Sequence, residues 1–136
     1  MLAEGNERSI IVEQCRLEEL IDREYGDDSV VDLLKVDTEG MEYSVLSGLG
    51  SRLAPEAIRC ILFETTVGPR GLTTESRQVA ALLQSHGYLI ASIRQDGAIR
   101  HRPKLSWIRR PVITTLNLVA VASLEIGEPD VSPSSE

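Results

Sequence analysis

Apolar residues follow two rhythms along this chain: short, nearly continuous runs, and longer stretches where they return every three or four positions. The runs predict strands at Ser9 to Val12, Val30 to Val36, Ile58 to Phe63, Tyr88 to Ile93 and Leu116 to Ala122. Val30-Val31-Asp32-Leu33-Leu34-Lys35-Val36 is apolar enough to read as a strand buried on both faces of a parallel sheet. The slower rhythm predicts helices. Leu17, Leu20, Ile21 and Tyr25 share one face, ending at a C-cap on Gly26; Met41, Val45, Leu46 and Leu49 share another, stopping near Gly48 or Gly50. Thr74 is placed to cap a third helix, with Val79, Leu82 and Leu83 inward and closure at Gly87. Asp96-Gly97 carries a two-residue hairpin signal, because both positions tolerate positive φ. Strand, helix, strand, helix, strand predicts a βαβαβ unit with a mainly parallel sheet, whose ligand crevice lies beyond the carboxyl ends of its strands. Asp37 to Gly40 and Glu64 to Thr66 stand at that edge.

Length and composition narrow this picture. A chain of 136 residues supports one core and not two, and 4% aromatic residues means a core of Leu, Ile, Val and Ala. One unit is expected over residues 1–124, followed by a disordered tail at 125–136 that is rich in Pro, Ser and acids. The net charge of −7 argues against a nucleic-acid partner, which requires a basic face. The basic stretch Arg100 to Arg110, with Arg102, Lys104, Arg109 and Arg110 around Trp107, reads as a solvated loop. Cys15 and Cys60 lack the spacing for zinc or a disulfide framework and read as ordinary semi-buried thiols. No apolar run approaches the ~20 residues that span a bilayer, and the N-terminus lacks signal-peptide features, so a cytoplasmic protein without a membrane partner is expected.

Chemistry concentrates in Lys35-Val36-Asp37-Thr38-Glu39-Gly40, which puts two carboxylates and an ammonium at a strand end beside a helix N-terminus. A proton, a metal or a developing alkoxide is manageable there. The plainer account has Asp37 or Thr38 capping the helix, Glu39 offsetting its dipole, and Lys35 paired with Asp37. His86 and His101 have no neighbouring nucleophile or second ligand and read as structural.

Val31-Asp32-Leu33-Leu34-Lys35-Val36-Asp37-Thr38-Glu39-Gly40-Met41-Glu42, followed by Val45-Leu46-Ser47-Gly48, resembles the signature of FkbM-family methyltransferases. Arg16-Leu17-Glu18-Glu19-Leu20, Ile61-Leu62-Phe63-Glu64, Gly87-Tyr88 and Asn117-Leu118-Val119-Ala120-Val121 follow in the order the family shows, with Glu18 where the family usually has Asp. The resemblance spans roughly residues 9–122. It implies an α/β, partial Rossmann-like methyltransferase fold: a mainly parallel sheet with an antiparallel C-terminal strand. It also implies methyl transfer from S-adenosylmethionine to a hydroxyl of a sugar, polyketide or other small molecule. By position, Asp37, Glu39, Lys35 and Glu64 become the candidate catalytic residues, with Asp37 and Glu39 facing the acceptor.

The family's glycine-rich strand-turn-helix is not in this chain: Gly68-Pro69-Arg70-Gly71 holds a proline, and Gly48-Leu49-Gly50 ends a helix where the motif begins one. The N-terminal cofactor-binding strands are therefore expected to be missing, the residues that bind the cofactor stay unknown, and weak donor binding is expected of this chain alone. On this reading the chain is a gene fragment, a chain with a displaced start, or half of a split enzyme. Its Val30 to Val36 edge would recruit either that missing half or a second copy. Magnesium is the lesser reading, because Glu64-Thr65 has no Asn beside it. The alternative function is a non-catalytic α/β module that binds a small molecule or protein at the same edge.

Overall fold

Helical spacing in Leu17, Leu20 and Ile21 produces α1 (Leu17–Tyr25), which ends where Gly26, at φ +90°, donates its N–H back to the Asp22 carbonyl. The computed structural model describes residues 10–93, 99–101 and 114–122. Ile21 is buried and Leu17 and Leu20 half-buried, but Tyr25 is exposed, so the inward stripe of α1 is one turn shorter than its spacing suggests. The expected strand at Ser9 to Val12 does not form over Ile10, Ile11 and Val12, which are 85%, 98% and 78% exposed. β-branched residues favour a strand only where a ladder partner and a packing face exist, and among the described residues these three have neither.

The remaining elements are β1 (Leu34–Val36), α2 (Glu42–Ser47), a 3₁₀ turn (Gly50–Arg52), β2 (Cys60–Gly68), β3 (Gly71–Leu72), α3 (Thr74–Ser85), β4 (Tyr88–Ile93), β5 (Ile99–His101) and β6 (Thr114–Ala122). The cap of α3 is Thr73, one residue ahead of the expected Thr74; its hydroxyl accepts the Ser76 N–H at 3.2 Å. The Asp96-Gly97 turn, the basic stretch beyond His101 and the tail at 125–136 lie outside the described residues.

The sheet runs β1-β2-β6-β4-β5, with β3 hairpinned onto the end of β2. β1 is parallel to β2, and β6 is antiparallel to both β2 and β4, so β1, β2 and β4 point the same way. The C-terminal strand is antiparallel as expected. Because it enters between β2 and β4, the parallel ladder is confined to β1–β2, and the sheet is mixed instead of mainly parallel. β1 is also shorter and less buried than its apolar run predicts. Val31 touches the sheet through one isolated bridge to Ile58, and Val30 and Leu33 are 49% and 59% exposed. An edge strand lacks a neighbour on one side, and among the described residues none pairs with the outer side of β1.

Strict alternation along β2 sends Ile61, Phe63, Thr65 and Val67 to one face. There the three apolar residues join Val36, Leu46, Leu49, Val79, Leu83, Tyr88, Ile90 and Leu118 in one core. Burying each large member of this cluster contributes about 1.5–3 kcal/mol. The Tyr88 hydroxyl donates to the Ile58 carbonyl at 2.7 Å, which closes its polar end inside the apolar layer. Ala91, Val119 and Val121 form a smaller cluster on the other face. α1 is fastened by Arg52, itself buried, which pairs with Asp22 and donates to the carbonyls of Ser29 (2.8 Å) and Gly26 (2.6 Å). Neither cysteine is in a disulfide; Cys60 is half-buried, while Cys15 is exposed, unlike the semi-buried thiol expected. No helix among the described residues is long and apolar enough to cross a membrane.

Candidate functional site

The turn between β1 and α2 is organised by a side chain that follows it. Glu42, in the first turn of α2 and only 7% exposed, accepts the Thr38 N–H (3.0 Å), the Thr38 hydroxyl (3.2 Å) and the Gly40 N–H (3.1 and 3.2 Å to its two oxygens). Burial pushes the Glu42 carboxyl up. The amides of Glu42 itself, Thr38 and Gly40, with the Thr38 hydroxyl, outweigh that and hold it below the ordinary carboxylate value. The helix is therefore not capped by Asp37 or Thr38. Met41 is the N-cap residue, without a side-chain bond, and Glu42 supplies the acceptor. Glu39 and Gly40 turn the chain with φ of +51° and +102°. Gly40 adopts this region freely; Glu39 does so at a cost of about 1–2 kcal/mol. A carboxylate held in an unfavourable backbone conformation by its surroundings is a common mark of a functional position.

The facing wall is the start of α3. Ser76, buried, donates its hydroxyl to the Thr66 carbonyl (3.2 Å) and accepts the Thr66 N–H (3.0 Å), stapling α3 to the carboxyl end of β2. The Thr73 hydroxyl donates to Ser76 Oγ at 2.9 Å. With α3 fixed there, a β-carbon built on Gly40 would stand 3.9 Å from the nearer Glu75 carboxylate oxygen, so two acidic segments face each other across a gap.

That gap is a cavity of about 360 Å³ at the carboxyl ends of the sheet, lined by Glu39, Glu42, Glu64, Thr65 and Glu75 among others, with no Lys or Arg among the described residues of its wall. Its volume suits a small molecule. Glu42 is engaged by backbone amides, while the carboxylates of Glu39, Glu64 and Glu75 make no hydrogen bond or ion pair. Thr65 is 4% exposed, and its hydroxyl has no partner. A buried hydroxyl without a bond costs about 1–3 kcal/mol, so a ligand that bonds it regains that energy. Among the described residues no three His, Cys, Asp or Glu side chains converge closely enough to hold a metal.

The four residues singled out from sequence separate into two pairs. Glu39 and Glu64 line the cavity. Lys35 and Asp37 are outside its lining and form an ion pair with each other at 3.0 Å, 59% and 45% exposed. His86 is exposed and shares Nδ1 with the Leu82 carbonyl at 2.8 Å, a helix-end contact. The sequence places Thr65 at the functional edge without giving it a role, and it does not reveal Glu75 and Ser76, because their importance depends on where α3 docks, and no local pattern encodes that. The sequence offers no amide side chain next to Glu64 in the chain. The register instead places Asn117 of β6 opposite Glu64, on the same face.

Comparison with protein families matches residues 2–90, more than half of the chain, to the methyltransferase FkbM domain. The match ends within β4, so β6 and its Asn117 to Val121 segment lie beyond it. No curated protein and no solved structure matches the chain.

Proposed function

The chain belongs to the FkbM methyltransferase family, and from that premise we propose that it supplies the acceptor side of a methyl transfer to a hydroxyl of a small molecule. The observation that carries this reading is the acid-lined cavity at the carboxyl ends of β1 and β2, the edge where α/β sheets bind ligands. As an acceptor oxygen is alkylated its proton must leave, and a carboxylate at hydrogen-bond distance takes it, typically worth 10²–10⁴-fold in rate. Glu39 and Glu64 are the residues proposed for orienting that hydroxyl and receiving its proton. Lys35 and Asp37 then stand outside the cavity lining, and their exposed pair contributes little.

S-adenosylmethionine is the donor the family resemblance implies, and the residues described here do not fit it. The amides of the β1–α2 turn, the first candidates for an anionic donor group, are already bonded to Glu42. The Gly68 to Gly71 turn leads into β3 and not into a helix, so it makes no nucleotide-type cradle. Calorimetry of the full chain with S-adenosylmethionine is expected to give binding weaker than the low micromolar range. A low-micromolar dissociation constant would mean that the donor site is among these residues after all. That lack of fit favours a second reading, a non-catalytic binding module using the same cavity. Incorporation of labelled methyl into a hydroxylated acceptor at saturating donor separates the two.

We propose in addition that the outer edge of β1 pairs with a second copy of the chain, supported by the exposure of Val30 and Leu33 and by Ile10 to Val12 nearby in sequence. Light scattering after size exclusion should show a dimer or larger species, and a stable monomer would reject it.

A further inference from the structure

The charge pattern of the cavity is stronger than alkylation of a simple alcohol requires. We propose that the acceptor carries a protonated amine close to the hydroxyl that is methylated, as in an amino sugar or amino alcohol, with Glu75 and Glu64 holding the ammonium and the Thr65 hydroxyl bonding the acceptor's polar framework. The proposal rests on the reading of this cavity as the acceptor side.

Two independent observations support it. Among the described residues, Glu39, Glu64 and Glu75 line one space with no basic residue in its wall, and none of the three has a partner. The α3 N-terminus offsets about half a charge, and its free amide at Ser76 is already taken by Thr73, so the described part of the wall is net negative. Separately, Thr65 presents a hydroxyl with no bond from a side chain only 4% exposed, an arrangement that is costly unless a ligand completes it. The acidic residues line the cavity without, among the described residues, converging as metal ligands do. Walls spread around about 360 Å³ suit an organic ammonium with several N–H and O–H donors, which reaches more than one carboxylate at once.

The test is a ¹H–¹⁵N titration of the full chain, without donor, using glucosamine, glucose, glucuronate and magnesium chloride as probes and the amides of Gly40 and Thr65 as reporters. Glucosamine is expected to shift both amides and to bind at least about fivefold more tightly than glucose, the factor that one partly exposed charge pair supplies. Glucuronate should not bind. Glu75→Gln, at an exposed position, should remove most of the preference while leaving the spectrum folded, and Glu64→Gln should act in the same direction. Glucuronate binding as well as glucosamine, a preference unchanged in both variants, magnesium producing the same shifts, or no shift with glucosamine at millimolar concentration would each overturn the proposal. Because the titration needs no donor, loss of the amine preference leaves methyl transfer standing, and a failed transfer assay leaves the amine site standing.

Discussion

β2 has two neighbours and treats them differently. Toward β6 it pairs over eight consecutive residues, Cys60 to Val67, and contributes Ile61, Phe63 and Val67 to the core. Toward β1 it pairs over three, Leu34 to Val36 against Ile61 to Phe63, with one isolated bridge beyond. The first side is a continuous ladder under an apolar layer. On the second side are Val30 and Leu33, both well exposed, and a turn fixed by one buried carboxylate. Rigidity and the functional turn thus sit on opposite sides of one strand, and segments with few buried contacts are those that open at low free energy.

The largest test of this contrast is in the core. Phe63→Ala, at a position with no exposure, should destabilise by about 3–5 kcal/mol, and a denaturant midpoint that barely moves would deny that the β6 side carries the stability. On the other side, Arg52→Ala should cost about 2–3 kcal/mol, since it orphans the Gly26 and Ser29 carbonyls as well as Asp22. Hydrogen exchange should show α1 loosened before β6. Glu42→Gln should cost about 1–2 kcal/mol at neutral pH by weakening three charge-assisted contacts. The sign of its pH dependence follows from the lowered carboxyl: the stability it contributes is present above the ordinary carboxylate value and lost as pH falls through the folded one. The gap between parent and variant should therefore narrow in acid, and a constant gap would contradict this. The smallest effect is expected at Glu39→Gly, which relieves the positive φ and should stabilise by up to about 1 kcal/mol while weakening acceptor binding. A variant less stable than the parent would show that Glu39 is structural.

Much of this was legible in the sequence. The apolar periodicity located α1, α3, β4 and the cores of β2 and β6, because each buries a regular face. It overextended β1, since a run of Val and Leu reads alike in a central strand and at an edge, and pairing partners are not encoded locally. Ile10 to Val12 misled for the same reason. Within the site, Glu39 and Glu64 were visible as acids at strand ends. Glu42 stood in the quoted motif without a role, because its task, bonding amides two and four residues earlier, depends on the conformation of the turn. Thr65 and Glu75 depend on the Ser76 staple between α3 and β2, a contact across ten residues that no spacing rule anticipates.

The most direct test of the central claim compares labelled methyl incorporation by the full chain, at saturating S-adenosylmethionine, with that by Glu64→Gln and Asp37→Asn. With Glu64 as proton acceptor, its substitution should lower turnover about 10²-fold or more, whereas Asp37→Asn, exposed and outside the cavity lining, should change it only a few-fold. No incorporation by the unaltered chain, or turnover that falls with Asp37→Asn and survives Glu64→Gln, would contradict the account.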